Sequence, residues 1–154
     1  MKITANRMKW LLRFYPPYLG AGIKVDYISD DWMDAQASMK LKWYNRNYVK
    51  THFGGSLISM TDPFYMLMLS NILGSNYVVW DKVASIDFIK PGVSKVSAQF
   101  KLTDKIIDEI FEQTKSGEKY LPTFNVNIFD EKGIVIAKVH KRLYIRKRRL
   151  RKAV

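Results

Sequence analysis

Between Asn47 and Asp62 the chain reads Asn47-Tyr48-Val49-Lys50-Thr51-His52-Phe53-Gly54-Gly55-Ser56-Leu57-Ile58-Ser59-Met60-Thr61-Asp62. A polar stretch runs into a Gly-Gly pair, and an almost wholly apolar segment follows with one carboxylate set inside it. An isolated charge among apolar residues costs several kcal/mol unless something compensates it. A helix that begins at the glycines offers unpaired N–H groups and the positive end of its dipole, which suit an oxygen that becomes negative during a reaction. Glycine lets a ligand approach that backbone closely. Asp62, about two helical turns further on, has the chemistry of a general base or nucleophile.

Each residue also has a purely structural reading. Asp62-Pro63 is a helix-start signature, with Asp62 as N-cap and Pro63 at the first helical position. Gly54 and Gly55 suit a helix that passes close to a sheet. Asn47 is a common turn residue as well as a positioning group. His52 could act as an orienting or acid–base group, and Phe53, Ser56 and Ser59 could line a pocket. No acid and base pattern surrounds Ser56, Ser59 or Thr61, so a serine-hydrolase triad is not expected.

The composition narrows the chemistry further. The chain has 154 residues, enough for one domain with a real core, and its hydrophobic fraction of 47% is that of a folded protein. It has no cysteine and two histidines, His52 and His140. Disulfides, thiolate metal sites and multi-histidine centres are excluded, so no metal and no separate cofactor is expected. The formal charge of +12 is uneven: Lys138–Val154 holds nine Lys/Arg and no acid, leaving +3 for the rest. Met1–Trp10 has no apolar core of signal-peptide length, and a cytoplasmic location is expected. Gly54–Leu73 is twenty residues long with one charge. Asp62, Pro63 and the hydroxyl residues in its first half predict a helix buried in protein, not a membrane span.

The flanking patterns supply the elements that must position these residues. Residues 5–15 predict an amphipathic helix with Met8, Leu11, Leu12 and Tyr15 on one face, stopped by Pro16-Pro17. Period-two alternation predicts strands at 23–28 and 35–43, separated by Asp30-Asp31. A polar loop at 44–53 leads into the buried helix, which Gly74 closes. Residues 77–90 predict one long bent strand, turned by Pro91-Gly92 into a neighbour at 93–102. Thr103 caps a helix through Thr114, with Ile106, Ile107, Ile110 and Phe111 inward. Strands at 122–129 and 134–146 are joined by the turn Asp130-Glu131-Lys132-Gly133. The whole is an α+β domain over 1–154: a curved antiparallel sheet of about six strands wrapped around one buried helix. Residues 1–19 form a short N-terminal helix and a proline-rich lead-in, and 147–154 a basic tail. The helix N-terminus and an exposed sheet edge are the natural places for chemistry and dimerisation.

Taken together, Asn47, Phe53-Gly54-Gly55, Asp62 and Ser85-Ile86-Asp87-Phe88-Ile89-Lys90-Pro91-Gly92 resemble the hotdog-fold thioesterase superfamily. The pattern is related to the acyl-CoA thioesterases of the phenylacetic-acid-degradation type. With Tyr15-Pro16-Pro17-Tyr18 and Trp80-Asp81-Lys82 included, the chain is most similar, from about residue 8 to 147, to a thioesterase-like branch known as a domain of unknown function. The resemblance implies hydrolysis of an acyl-CoA-like thioester in a pocket across a homodimer interface, or a dimer of dimers, with coenzyme A present only as part of the substrate. Asp62 would be base or nucleophile, Gly54 and Gly55 of the other subunit the oxyanion donors, and Asn47 a positioning group. His52, Phe53, Ser56 and Ser59 would contact substrate. Two positions depart from the pattern: Phe53 stands where the family has histidine, with His52 one place upstream, and Pro63 follows Asp62. They favour the alternative, a non-catalytic hotdog module that binds acyl-CoA, a fatty acyl group or a protein. Trp80-Asp81-Lys82 reads as an ion pair or interface element. The basic tail reads as solvated, with coenzyme A phosphate contact next. Nucleic-acid or membrane contact through it is not expected, and the lack of an aromatic residue beside Arg146–Lys152 argues against single-stranded nucleic acid in particular.

Overall fold

The computed structural model describes residues 3–149. Helix α1 covers Ala5–Arg13 and is capped by Thr4, whose side chain accepts from the Arg7 N–H. Pro16-Pro17 does not simply end it. The two prolines open a second short helix, α2 (Pro16–Ala21), where a missing N–H costs nothing. Strands β1 (Ile23–Ile28) and β2 (Asp34–Met39) form a hairpin. The second is shorter than its alternation predicts, because residues 40–45 turn back over β1. There Asn45 is buried and ties the chain to the Ala21 and Lys40 carbonyls.

The apolar run Gly54–Leu73 is two helices, not one: α3 (Gly54–Ser59) and α4 (Phe64–Leu73). Pro63 cannot donate to the ladder, and the Asp62–Pro63 peptide is cis. The Thr61 and Asp62 N–H groups instead close tight turns onto the Ile58 and Ser59 carbonyls. Asp62 is therefore neither inside a helix nor its N-cap. Pro63 occupies the cap position of α4, with no side-chain bond.

Beyond Gly74 come β3 (Tyr77–Phe88), β4 (Val96–Lys101), helix α5 (Asp104–Thr114), the two-residue β5 (Lys119–Tyr120), β6 (Thr123–Asp130) and β7 (Val135–Lys147). The antiparallel sheet has the order β1-β2-β4-β6-β7-β3, with β5 added to β7. It curves around α4. Phe64 stacks on Phe100 with ring centroids 4.3 Å apart, and Tyr65 stacks on Phe124 at 4.5 Å. Met68, Leu69 and the inward residues of β4, β6 and β7 complete the core. This is the hotdog arrangement of sheet and central helix. No helix among the described residues is long and apolar enough to cross a membrane.

Three inward-facing expectations fail. Leu11 and Tyr15 are exposed, and the packed face of α1 is Ala5, Met8 and Leu12. Phe111 of α5 is also exposed and meets the Tyr77 ring edge-on. In each case the helix touches the sheet over a narrower stripe than its apolar residues span. At the other end, Arg146 and Lys147 belong to β7, and the Arg146 Nε–H donates to the Gly117 carbonyl. The tail is shorter than its charge suggests, and its residues 150–154 lie outside the described residues.

Candidate active site

The expected site residues fall around two clefts of one chain, and no residue lines both. The first, about 530 Å³, lies between the loop at 47–53, the start of α3 and the end of β3. Its lining includes Asn47, His52, Phe53, Gly54, Leu57 and Phe88. The second, about 200 Å³, holds Ser59, Asp62, Tyr15, Tyr18, Ala84 and Lys141. Gly55 and Ser56 line neither; Ser56 is buried under α3.

In the first cleft, Phe53 is the N-cap residue of α3 and has no side-chain acceptor to offer. The Gly54 and Gly55 N–H groups find no acceptor among the described residues, so both remain open to an incoming oxygen. Aromatic rings cover the two α-carbons. A β-carbon on Gly54 would lie 2.7 Å from the Phe88 ring, and one on Gly55 would lie 2.5 Å from the Phe53 ring. Only glycine permits this stacking. Both rings are largely exposed.

Asn47 and His52 hold this cleft's wall. The Asn47 side chain accepts from the Thr51 N–H at 3.0 Å and donates to Thr51 Oγ1 at 2.9 Å, which closes the loop on itself. His52 is buried, and its backbone N–H donates to the Gly92 carbonyl. Its Nε2–H donates to the Ser94 carbonyl at 2.7 Å, leaving the Nδ1 lone pair buried and unpartnered. Burial lowers the pKa of the imidazole, which stays neutral. The histidine one place before the expected position thus pins the loop to the segment after β3.

The second cleft is organised by a residue that the motif did not reveal. Lys141 of β7 is almost completely buried, with 1% of its side chain exposed. Its ammonium donates to Asp62 Oδ1 at 3.1 Å and to Asp81 Oδ2 at 3.0 Å. Burial pushes the Asp81 carboxyl upward while the Lys141 ammonium pulls it back, and Asp81 Oδ1 is buried without a partner. Asp62 is 60% exposed, so one edge of its carboxylate is fixed by Lys141 and the rest faces the cleft. Tyr18 holds the same corner: its hydroxyl donates to the Asp62 carbonyl. Burial and the Asp62 charge raise the Tyr18 pKa far above that of a free phenol, so it remains a donor. Ser59 Oγ donates back to the Gly55 carbonyl at 2.8 Å. The sequence did carry a signal for Lys141. In β7 the residues Val139, Leu143 and Ile145 face the core, and the strict alternation places Lys141 in their row.

The residues 4–145 match the domain of unknown function DUF4442, and the chain belongs to that family. No curated protein matches the chain. Among solved structures it is similar to a protein of unknown function from Pseudomonas aeruginosa described as a probable thioesterase (TM-score 0.82, 14% identity, covering 96% of this chain and 99% of that one). It is also similar to a thioesterase from Haemophilus influenzae (TM-score 0.69, 13% identity, covering 99% and 97%). A mutant thioesterase from Pseudomonas aeruginosa matches with a TM-score of 0.68 at 10% identity, covering 96% and 97%. The chain has the hotdog fold of these thioesterases.

Proposed function

We propose that the protein is a thioesterase that hydrolyses an acyl-CoA-like thioester at a site completed across a homodimer. The supporting observation is the position of β3. It is an edge strand of the sheet, and none of its twelve residues is fully buried within one chain. It contributes Phe88 to the cleft of Gly54 and Ala84 to the cleft of Asp62. Antiparallel pairing of β3 with its copy about Ile86 sets Phe88 opposite Ala84 of the partner subunit. The open Gly54 and Gly55 N–H groups of one subunit then face the Asp62 of the other.

In this reading the thioester carbonyl oxygen takes the glycine N–H groups as its oxyanion donors. Asp62 attacks the carbonyl carbon and expels coenzyme A as its thiolate, leaving an acyl anhydride that water then hydrolyses, or it takes a proton from the attacking water and returns it to the departing thiolate. Lys141 and Tyr18 keep the Asp62 carboxylate in its corner. Asn47 and His52 act through the loop they hold, not by contact with the reacting atoms. Purified protein assayed for thiol release against short, long and aromatic acyl-CoA substrates tests the reading. Wild-type turnover that falls by at least about 100-fold in Asp62→Asn is the expected result; equal turnover by the variant sinks it.

The rings of Phe53 and Phe88 over the two glycines favour a second reading, a module that binds an acyl group without cleaving it. Saturable binding of acyl-CoA with no thiol release across the whole panel would select it.

A further inference from the structure

Helix α1 is apolar on the side that faces away from the protein. Ala5, Met8 and Leu12 pack on the core, yet Trp10, Leu11 and Phe14 point outward with exposures of 47%, 57% and 66%. Tyr15, the N-cap of α2, and Pro16 extend the same surface, and Ile3 borders it. A helix that merely covers a core carries polar residues on its outer face. The charged residues of α1, Arg7, Lys9 and Arg13, all have one sign. Arg7, Lys9 and Arg13 make no ion pair among the described residues. Arg13 lies 5.0 Å over the Trp10 ring, and Trp10 stacks with Phe14.

We infer that α1 and the start of α2 form a docking surface for an anionic lipid bilayer. Indole and phenyl rings flanked by arginine and lysine match the headgroup boundary, where apolar side chains enter and cations meet lipid phosphate. A second copy of the chain is a poorer occupant, since self-pairing of this face would bring arginines against arginines. Asp62, the carboxylate of the adjoining cleft, is paired with Lys141. Tyr15 lines both this surface and the Asp62 cleft. Docking therefore sets the mouth of that cleft at the lipid boundary, where long-chain acyl substrates partition. This last step alone rests on the thioesterase reading.

The full chain is incubated with vesicles of phosphatidylcholine containing about one-third phosphatidylglycerol, and with phosphatidylcholine alone, then pelleted. The wild type is expected to pellet with the anionic vesicles and to be released by salt. Trp10→Ser/Phe14→Ser should weaken retention about tenfold or more, and Arg7→Gln/Arg13→Gln should weaken it on anionic vesicles only. All these side chains are exposed, so melting temperatures should not move. Equal retention of the Trp10/Phe14 variant overturns the inference, because the charged tail would then suffice. Absence of wild-type binding overturns it too, as does a fall in solution mass in that variant, which would make the face a contact between copies. None of these readouts depends on turnover.

Discussion

Lys141 Nζ lies 3.1 Å from Asp62 Oδ1, although the two residues are 79 positions apart in the chain. A cation buried at this depth is stable only because Asp62 and Asp81 both receive it. Pro63 ends α3 early and turns Asp62 out of the apolar run, and β7 presents Lys141 at the place where Asp62 emerges.

Removing the ammonium should therefore be costly. Lys141→Met leaves Asp81 half-buried and unpaired, and a loss of about 3 kcal/mol in urea unfolding is expected. Adding Asp81→Asn should recover part of it. A double variant as unstable as the sum of the two single variants would show that the residues do not interact.

Tyr18→Phe removes the only side-chain donor to the Asp62 carbonyl among the described residues. The expected cost is about 1 kcal/mol, with a larger fractional loss of thioester turnover as the Asp62 corner loosens. Unchanged stability and turnover would make the contact incidental.

His52 links stability to pH. Its pKa is lowered in the folded state, so below the free value of 6.5 the unfolded chain binds a proton that the folded chain does not. Stability is fully present above that value and declines as pH falls from it toward the folded pKa. Melting temperature should fall across that window, and His52→Asn should flatten this part of the profile. An identical slope in the variant would exclude His52 as its source.

The rings over the glycines predict opposite effects from two substitutions. Phe88→Ala uncovers Gly54 and should raise kcat/KM for acyl thioesters by about tenfold, if the ring closes the mouth most of the time. Gly54→Ala pushes the Phe88 ring aside and narrows the approach to the N–H groups, and should lower turnover without unfolding the chain. A fall in kcat/KM in Phe88→Ala would mean that the ring holds substrate.

The register of the dimer can be tested by charge. Pairing about Ile86 sets residue 85 opposite Asp87 of the partner subunit. Ser85→Asp then places two like-charged pairs across the interface and Ser85→Lys two opposite ones, each worth about 0.2–1 kcal/mol. Dimer dissociation measured by sedimentation should move several-fold in opposite directions for the two variants. Shifts in one direction would rule out this register.

Local patterns carried most of the fold. Period-two alternation marked β1 and β2 because half-buried strands must alternate, and Asp130–Gly133 marked the last hairpin because its turn needs those residues. The apolar run Gly54–Leu73 marked the buried helical segment, but the Gly-Gly pair starts only α3, and the central helix α4 begins at Phe64. What such patterns cannot state is which neighbour a residue meets. Leu11 and Phe111 have the spacing of core residues and are exposed, since the width of a helix contact depends on the sheet beneath it. The alternation of β7 placed Lys141 inward, but its carboxylate partners come from the break before α4 and from β3. Only the tertiary structure brings Asp62, Asp81 and Lys141 together. Their attraction acts through space, and chain position determines it only after the sheet has folded.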